Sequence, residues 1–154
     1  MADDTVWWLD DREMTAWRAL VRTIAQLPTA LDGQLQRDSD LSFLEYYVLA
    51  ALSEAPDGSV GMSTLAVLTN AEQSRLSHLV KRLEGQGLVR RERDHTNGRY
   101  INAVISDAGR ARIEEAAPGH VANVRQLVFD ALSATDVQAL ARVCGRINAQ
   151  LGPY

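Results

Sequence analysis

Between Leu65 and Ile105 the apolar residues change spacing twice, and the residues at the changes leave few folds open. Leu76, Leu79, Val80 and Leu83 fall at i, i+3, i+4 and i+7, one face of a helix. A shorter helix precedes it, capped by Ser63, with Leu65, Ala66 and Leu68 inward. Asn70 tolerates left-handed backbone angles and ends that helix, and Asn70-x-x-Gln73 can cap the next. Two helices thus meet across a tight turn. Gly85 and Gly87 stop the second, and Leu88 to Arg93 and Tyr100 to Ile105 read as strands joined at Asn97-Gly98, a hairpin signal.

Upstream, Ser42-x-x-Glu45 is a capping box opening a helix through Leu52, whose mixed Phe, Tyr, Val and Leu content predicts near-complete burial. Ala55-Pro-Asp-Gly-Ser is a turn, and Val60-Gly61 can pair as a minimal strand. Helix, helix, helix, hairpin from Leu41 to Ile105 is the order of a winged helix-turn-helix. The expected fold is mainly α, with a small β-hairpin wing.

In such a motif the second helix of the tight pair enters the major groove, where arginine can bridge guanine and short hydroxyls reach base edges or phosphates. The outer face of the helix fits: Ser74, His78 and Lys81 lie opposite the apolar stripe, with Arg75, Ser77 and Arg82 at its flanks. A net charge of −4 argues against a polyanionic partner until its distribution is read. Residues 1–61 set four arginines against eleven acids, and residues 106–154 are balanced, whereas residues 62–105 set seven cations against four acids. Only the reading head is basic. Arg90 and Arg91 either dress their strand or pair with Glu84 or Glu92.

Helical seams flank this head. Trp17, Leu20, Ile24, Leu27 and Leu31 alternate at three and four in a pattern running roughly from Asp11 to Gln36, which Pro28 should kink near Ala25. Arg37 to Leu41 reads as a loop. After a cap at Ser106-Asp107 a helix runs toward Leu132, kinked or broken at Pro118. Ser133-x-x-Asp136 then opens a last helix in which Val137, Leu140, Cys144, Ile147 and Leu151 repeat the alternation. Two long apolar stripes outside a compact middle need a second subunit to cover them. The expected division is an N-terminal helix in residues 1–40, a DNA-binding domain in 41–105 and C-terminal helices in 106–154, the two ends forming a homodimer.

The run Leu65-Ala66, then Leu76-Ser-His-Leu-Val-Lys-Arg-Leu-Glu-Gly-Gln-Gly-Leu-Val-Arg-Arg91, then Asn97-Gly98-Arg99 and Ile105-Ser-Asp-Ala-Gly-Arg110, resembles the MarR (multiple antibiotic resistance regulator) family over nearly the whole chain. The resemblance implies an obligate homodimer on a pseudo-palindromic operator, usually a repressor, often released by a small, commonly aromatic molecule in a cleft between the dimer helices and the winged domain. It places recognition-helix contacts at Gln73, Ser74, Arg75, Ser77, His78, Lys81 and Arg82, and the wing-tip arginine at Arg99, with Arg93, His95 and Asn97 beside it. Asn97 stands where the family commonly has Asp, leaving Asp94 as a substitute partner for Arg99. Glu72-Gln73 stands where the helix usually begins Ser-Pro. Trp17, Tyr46 and Tyr47 either line an effector cleft or serve core or dimer packing, and Trp7-Trp8 can form an arm on the partner subunit.

No Gly-rich phosphate loop, nucleophile elbow or His-Glu-x-x-His occurs, so neither an enzyme nor a cofactor is expected. His78, His95 and His120 are too dispersed to suggest zinc, and Cys144, alone on a seam, reads as a small hydrophobe. With no apolar run of about 20 residues, and an acidic beginning MADDTVWWLDD where a secretory signal would be basic, the expected place is a bacterial cytoplasm, at the nucleoid. Two rival readings stand beside repression: a winged-helix module that binds protein, and an activator or antirepressor of the same fold.

Overall fold

The computed structural model describes residues 7–152; the first six residues of the acidic beginning lie outside it. In chain order the elements are α1 (Asp11–Ser39), α2 (Phe43–Glu54), β1 (Ser59–Gly61), α3 (Met62–Thr69), α4 (Gln73–Gly85), β2 (Val89–Arg93), β3 (Ile101–Ile105), α5 (Asp107–Leu127), a 3-10 turn (Phe129–Ala131) and α6 (Ala134–Leu151). The strands form one antiparallel sheet in the order β1-β3-β2. Ala103 pairs with Val60 on one side and Arg91 on the other.

Local chemistry sets most boundaries. Capping boxes at Asp10/Glu13, Ser42/Glu45 and Ser133/Asp136 open α1, α2 and α6. Asn70, at φ 49°, closes α3 in the left-handed region and starts the tight turn, as its residue type predicts. Other expected boundaries shift. Asp40, also left-handed, lets α1 continue to Ser39 through the expected loop. The backbone of Gly61 caps α3 in place of Ser63, Leu68 is half-exposed, and Glu72 rather than Asn70 precedes α4. α5 stops at Leu127, short of Leu132. Neither proline breaks its helix: α1 runs through Pro28 and α5 through Pro118. A proline in a helix removes one backbone bond, and the surrounding turns can still hold the helix.

The core lies under the head. Leu35 of α1, Val48, Leu49 and Leu52 of α2, Leu65 of α3, and Leu76, Val80 and Leu83 of α4 are buried together with Leu88, Ala103, Ile105 and Ile113. α2 is less buried than expected, because Tyr47 stays half-exposed while Tyr46 is buried. α5 docks by backbone contact: Ser106 donates its backbone N–H to the Leu88 carbonyl and its hydroxyl to the Gly87 carbonyl. A Cβ on Gly109 would stand 2.2 Å from the Leu88 carbonyl oxygen. That approach explains a glycine in the first turn of α5.

The ends behave differently. α6 has no buried residue, and Leu140, Val143, Ile147 and Leu151 are exposed, as are Trp17, Val21 and Ile24 on the N-terminal half of α1. Cys144 is likewise exposed within the single chain. Among the described residues no helix is long and apolar enough to cross a membrane.

His120 of α5 packs at a tilt against two aromatic rings of the head. Its ring centroid lies 4.3 Å from that of Tyr46 and 6.1 Å from that of Phe43, and its Nδ1 is buried without a partner. Burial lowers its pKa from the ordinary value near 6.5. A histidine kept neutral by folding leaves stability intact above that value and withdraws it as pH falls below, since the unfolded chain then binds the proton more readily. Unfolding by urea between pH 7.5 and 5 should show wild type losing more stability than His120→Phe. Parallel curves would place His120 in a solvated site.

Candidate nucleic-acid interface

The geometry begins with the turn between α3 and α4. Ala71 donates its N–H to the Ala66 carbonyl, and α4 starts two residues later, so its first turns project from the head. Burial of Leu76, Leu79, Val80 and Leu83 fixes the helix about its axis. Gln73, Ser74, Arg75, Ser77, His78 and Lys81 are therefore all exposed. Glu72 makes no side-chain capping bond to the helix.

The wing is held to this helix at its base. Glu84, near the end of α4, accepts the Arg91 backbone N–H at 3.1 Å and its Nε at 3.0 Å. Those bonds hold the Glu84 carboxyl below its ordinary range. Arg90 pairs with Glu92 on the same strand, so Arg90 and Arg91 are both engaged and Arg93 alone of the strand's three arginines is not. A groove of about 230 Å³ lined by Gln73 and Ser77 of α4 and by Arg91 and Ile101 of the wing makes helix and hairpin one continuous surface.

At the tip the structure departs from a two-residue hairpin. The strands end at Arg93 and restart at Ile101, and neither Asn97 nor Gly98 takes a left-handed φ. Asp94 organises the loop instead, accepting hydrogen bonds from the Thr96 hydroxyl, the Asn97 and Thr96 backbone N–H groups and Asn102 Nδ2. These bonds, the Thr96 hydroxyl first, hold its carboxyl well below the usual range. Asp94 is thus a loop organiser and makes no ion pair with Arg99. Asn97 supports that arginine through the backbone, accepting the Arg99 N–H at 3.2 Å. Arg93, His95, Asn97 and Arg99 are all exposed.

Among the described residues Arg75, Lys81, Arg93 and Arg99 have no acidic partner, while Arg82 lies against Glu45. Four cations without an acidic partner therefore lie on α4 and the wing, the surface that the resemblance selects; others lie elsewhere, Arg18 and Arg22 on α1 and Arg142 and Arg146 on α6. A cleft of about 710 Å³ opens beside it, between α1 (Pro28, Asp32), α2 (Phe43) and α4 (Arg75, His78, Arg82). Asp32 helps shape its floor by accepting the Phe43 N–H at 2.8 Å. Trp17, Tyr46 and Tyr47 do not line this cleft: Trp17 is exposed on α1, Tyr46 is buried against His120, and Tyr47 borders a separate depression with Leu68. Sequence spacing gave no sign of Asp32 or Phe43, because the cleft is made by three helices.

Residues 39–99 match the family model described as MarR family. Across 98% of this chain and 94% of the other, the fold superposes with a TM-score of 0.92 on Sco3205, a MarR family transcriptional regulator from Streptomyces coelicolor crystallised with DNA, at 36% identity. This chain belongs to the MarR family. A second MarR family regulator from Streptomyces coelicolor, AbsC, is 35% identical over 95% of this chain and 98% of its own, with a TM-score of 0.89. The fold is shared by CouR from Rhodococcus jostii RHA1, crystallised with p-coumaroyl-CoA, at 23% identity over 86% of this chain and 90% of that one, with a TM-score of 0.76. No curated protein matches the chain. As a MarR family transcriptional regulator, it carries a reading head in which the sequence-expected helix and hairpin are in place.

Proposed function

We propose that this regulator is a cytoplasmic repressor that binds a pseudo-palindromic operator as a homodimer, reading bases with α4 and following the flanking minor groove with Arg99. The observation that carries the proposal is the set of four exposed cations without an acidic partner, Arg75, Lys81, Arg93 and Arg99, on one helix-and-wing surface in a fold shared with a regulator crystallised on DNA. Residues 41–105 form the DNA-binding unit, and residues 1–40 and 106–154 supply the dimer helices. Trp17, Leu20, Ile24, Val137, Leu140, Cys144, Ile147 and Leu151 form the seam between subunits. Two such heads would place their recognition helices about 34 Å apart in successive major grooves.

The cleft beside α4 is the proposed effector site. Phe43, Leu79 and Pro28 offer an apolar wall to an aromatic body, and Arg75 and His78 offer donors to its polar end. Occupancy that favours another spacing of the two heads would weaken operator binding by the ligand's differential affinity for the two states.

Retention of fragmented genomic DNA at two salt concentrations tests the reading directly. The expected result is enrichment of one inverted repeat, with affinity for it about tenfold weaker in Arg99→Ala and the dimer intact. Binding that ignores salt would point to a protein-binding module. Unchanged affinity in Arg99→Ala would remove the wing from the mechanism.

A further inference from the structure

Arg82 differs from every other cation on the reading face. Its Nε donates to Glu45 Oε1 at 2.8 Å, and its Nη2 lies 2.5 Å from the same oxygen. Glu45 is 2% exposed, and its other oxygen accepts the Ser42 N–H at 2.7 Å, closing the capping box that starts α2. One buried carboxylate therefore joins the start of α2 to the last turn of α4, across 37 residues of sequence. Among the described residues Glu45 has no other cation. Removing Arg82 from it would strand a buried charge, which is strongly unfavourable.

Two consequences follow for DNA. The pair braces α4 against α2 from the exposed side of the helix, where the apolar stripe exerts no hold. It also cancels the arginine's charge at the surface where phosphates would pass. Attraction to any DNA sequence grows with the number of cations free to neutralise phosphates, whereas discrimination depends on how well the helix is aimed. Resting on the DNA-binding reading above, we infer that Glu45 is a positioning residue for operator specificity: it aims the recognition helix through Arg82 and withholds that arginine's charge from non-operator DNA.

The test compares wild type, Glu45→Gln, and the double variant Glu45→Gln with Arg82→Met, on an operator duplex and a random-sequence duplex across a salt series. Glutamine keeps the side-chain length and an acceptor for the Ser42 N–H. In Glu45→Gln the released Arg82 should steepen the random-duplex dependence of log affinity on log salt by about 0.9 per subunit. Preference for operator over random duplex should fall by about tenfold. The double variant buries no charge, which secures a folded comparison. Its random-duplex slope should match wild type while operator preference stays reduced. An unchanged slope in Glu45→Gln, or a slope shallower by about 0.9 per subunit in the double variant, would make Arg82 a phosphate contact already and overturn the inference. Wild type that shows no salt-dependent retention on either duplex would instead overturn the DNA-binding reading itself.

Discussion

Gly109→Ala is expected to destabilise the folded protein by about 2 kcal/mol or more. Alanine would gain up to about 1 kcal/mol in helix propensity, so the sign depends on the space available. None exists: the added Cβ would stand 2.2 Å from the Leu88 carbonyl oxygen and 2.8 Å from Ile105 Cγ1. That carbonyl cannot retreat without loosening its 3.0 Å bond from the Ser106 N–H, which docks α5 on the hairpin. Gly85→Ala supplies the control, because nothing lies within 4 Å of its Cβ position, it is helical, and a gain of about 0.5 kcal/mol is expected there. Urea unfolding of both variants gives the contrast. Equal stabilities for Gly109→Ala and wild type would show that α5 can dock without the close approach.

Leu140→Asp combined with Ile147→Asp should turn the proposed dimer into a monomer in sedimentation and lower operator affinity by about 10²–10⁴. In the single chain these side chains are 41% and 38% exposed, and α6 has no buried residue. Placing carboxylates at both positions would bury charge in any interface built on that stripe. Loss of affinity follows because the two half-sites would then be bound independently, without the effective concentration that linkage supplies. A double variant that stays dimeric would move the interface away from α6, and the proposed seam with it.

Recognition of the family was legible because its signature is local. The stripe Leu76, Leu79, Val80, Leu83 turned out buried, the Ser42 and Ser133 boxes cap their helices, and Asn70 adopts the left-handed turn. Where the chain departed from expectation, a competing local bond usually decided it. Asn97-Gly98 signals a tight hairpin, yet Asp94, three residues ahead of Asn97, captures the backbone N–H groups first and draws the loop around itself. A kink was expected at Pro28 and a kink or break at Pro118, and no break occurs at Pro118, since the bonds on either side outweigh the one removed.

By itself, then, the sequence determined the order of elements, the face that α4 exposes and the basic charge of the head. All of these arise from residues within a few positions of one another, where spacing sets geometry. Only the tertiary structure decided which arginines are free. Arg82 meets Glu45 across 37 positions, Phe43 meets Asp32 across 11, and α5 reaches Leu88 through a glycine 21 residues further on. Such contacts depend on how helices cross, and a spacing rule for one helix holds no information about its neighbour.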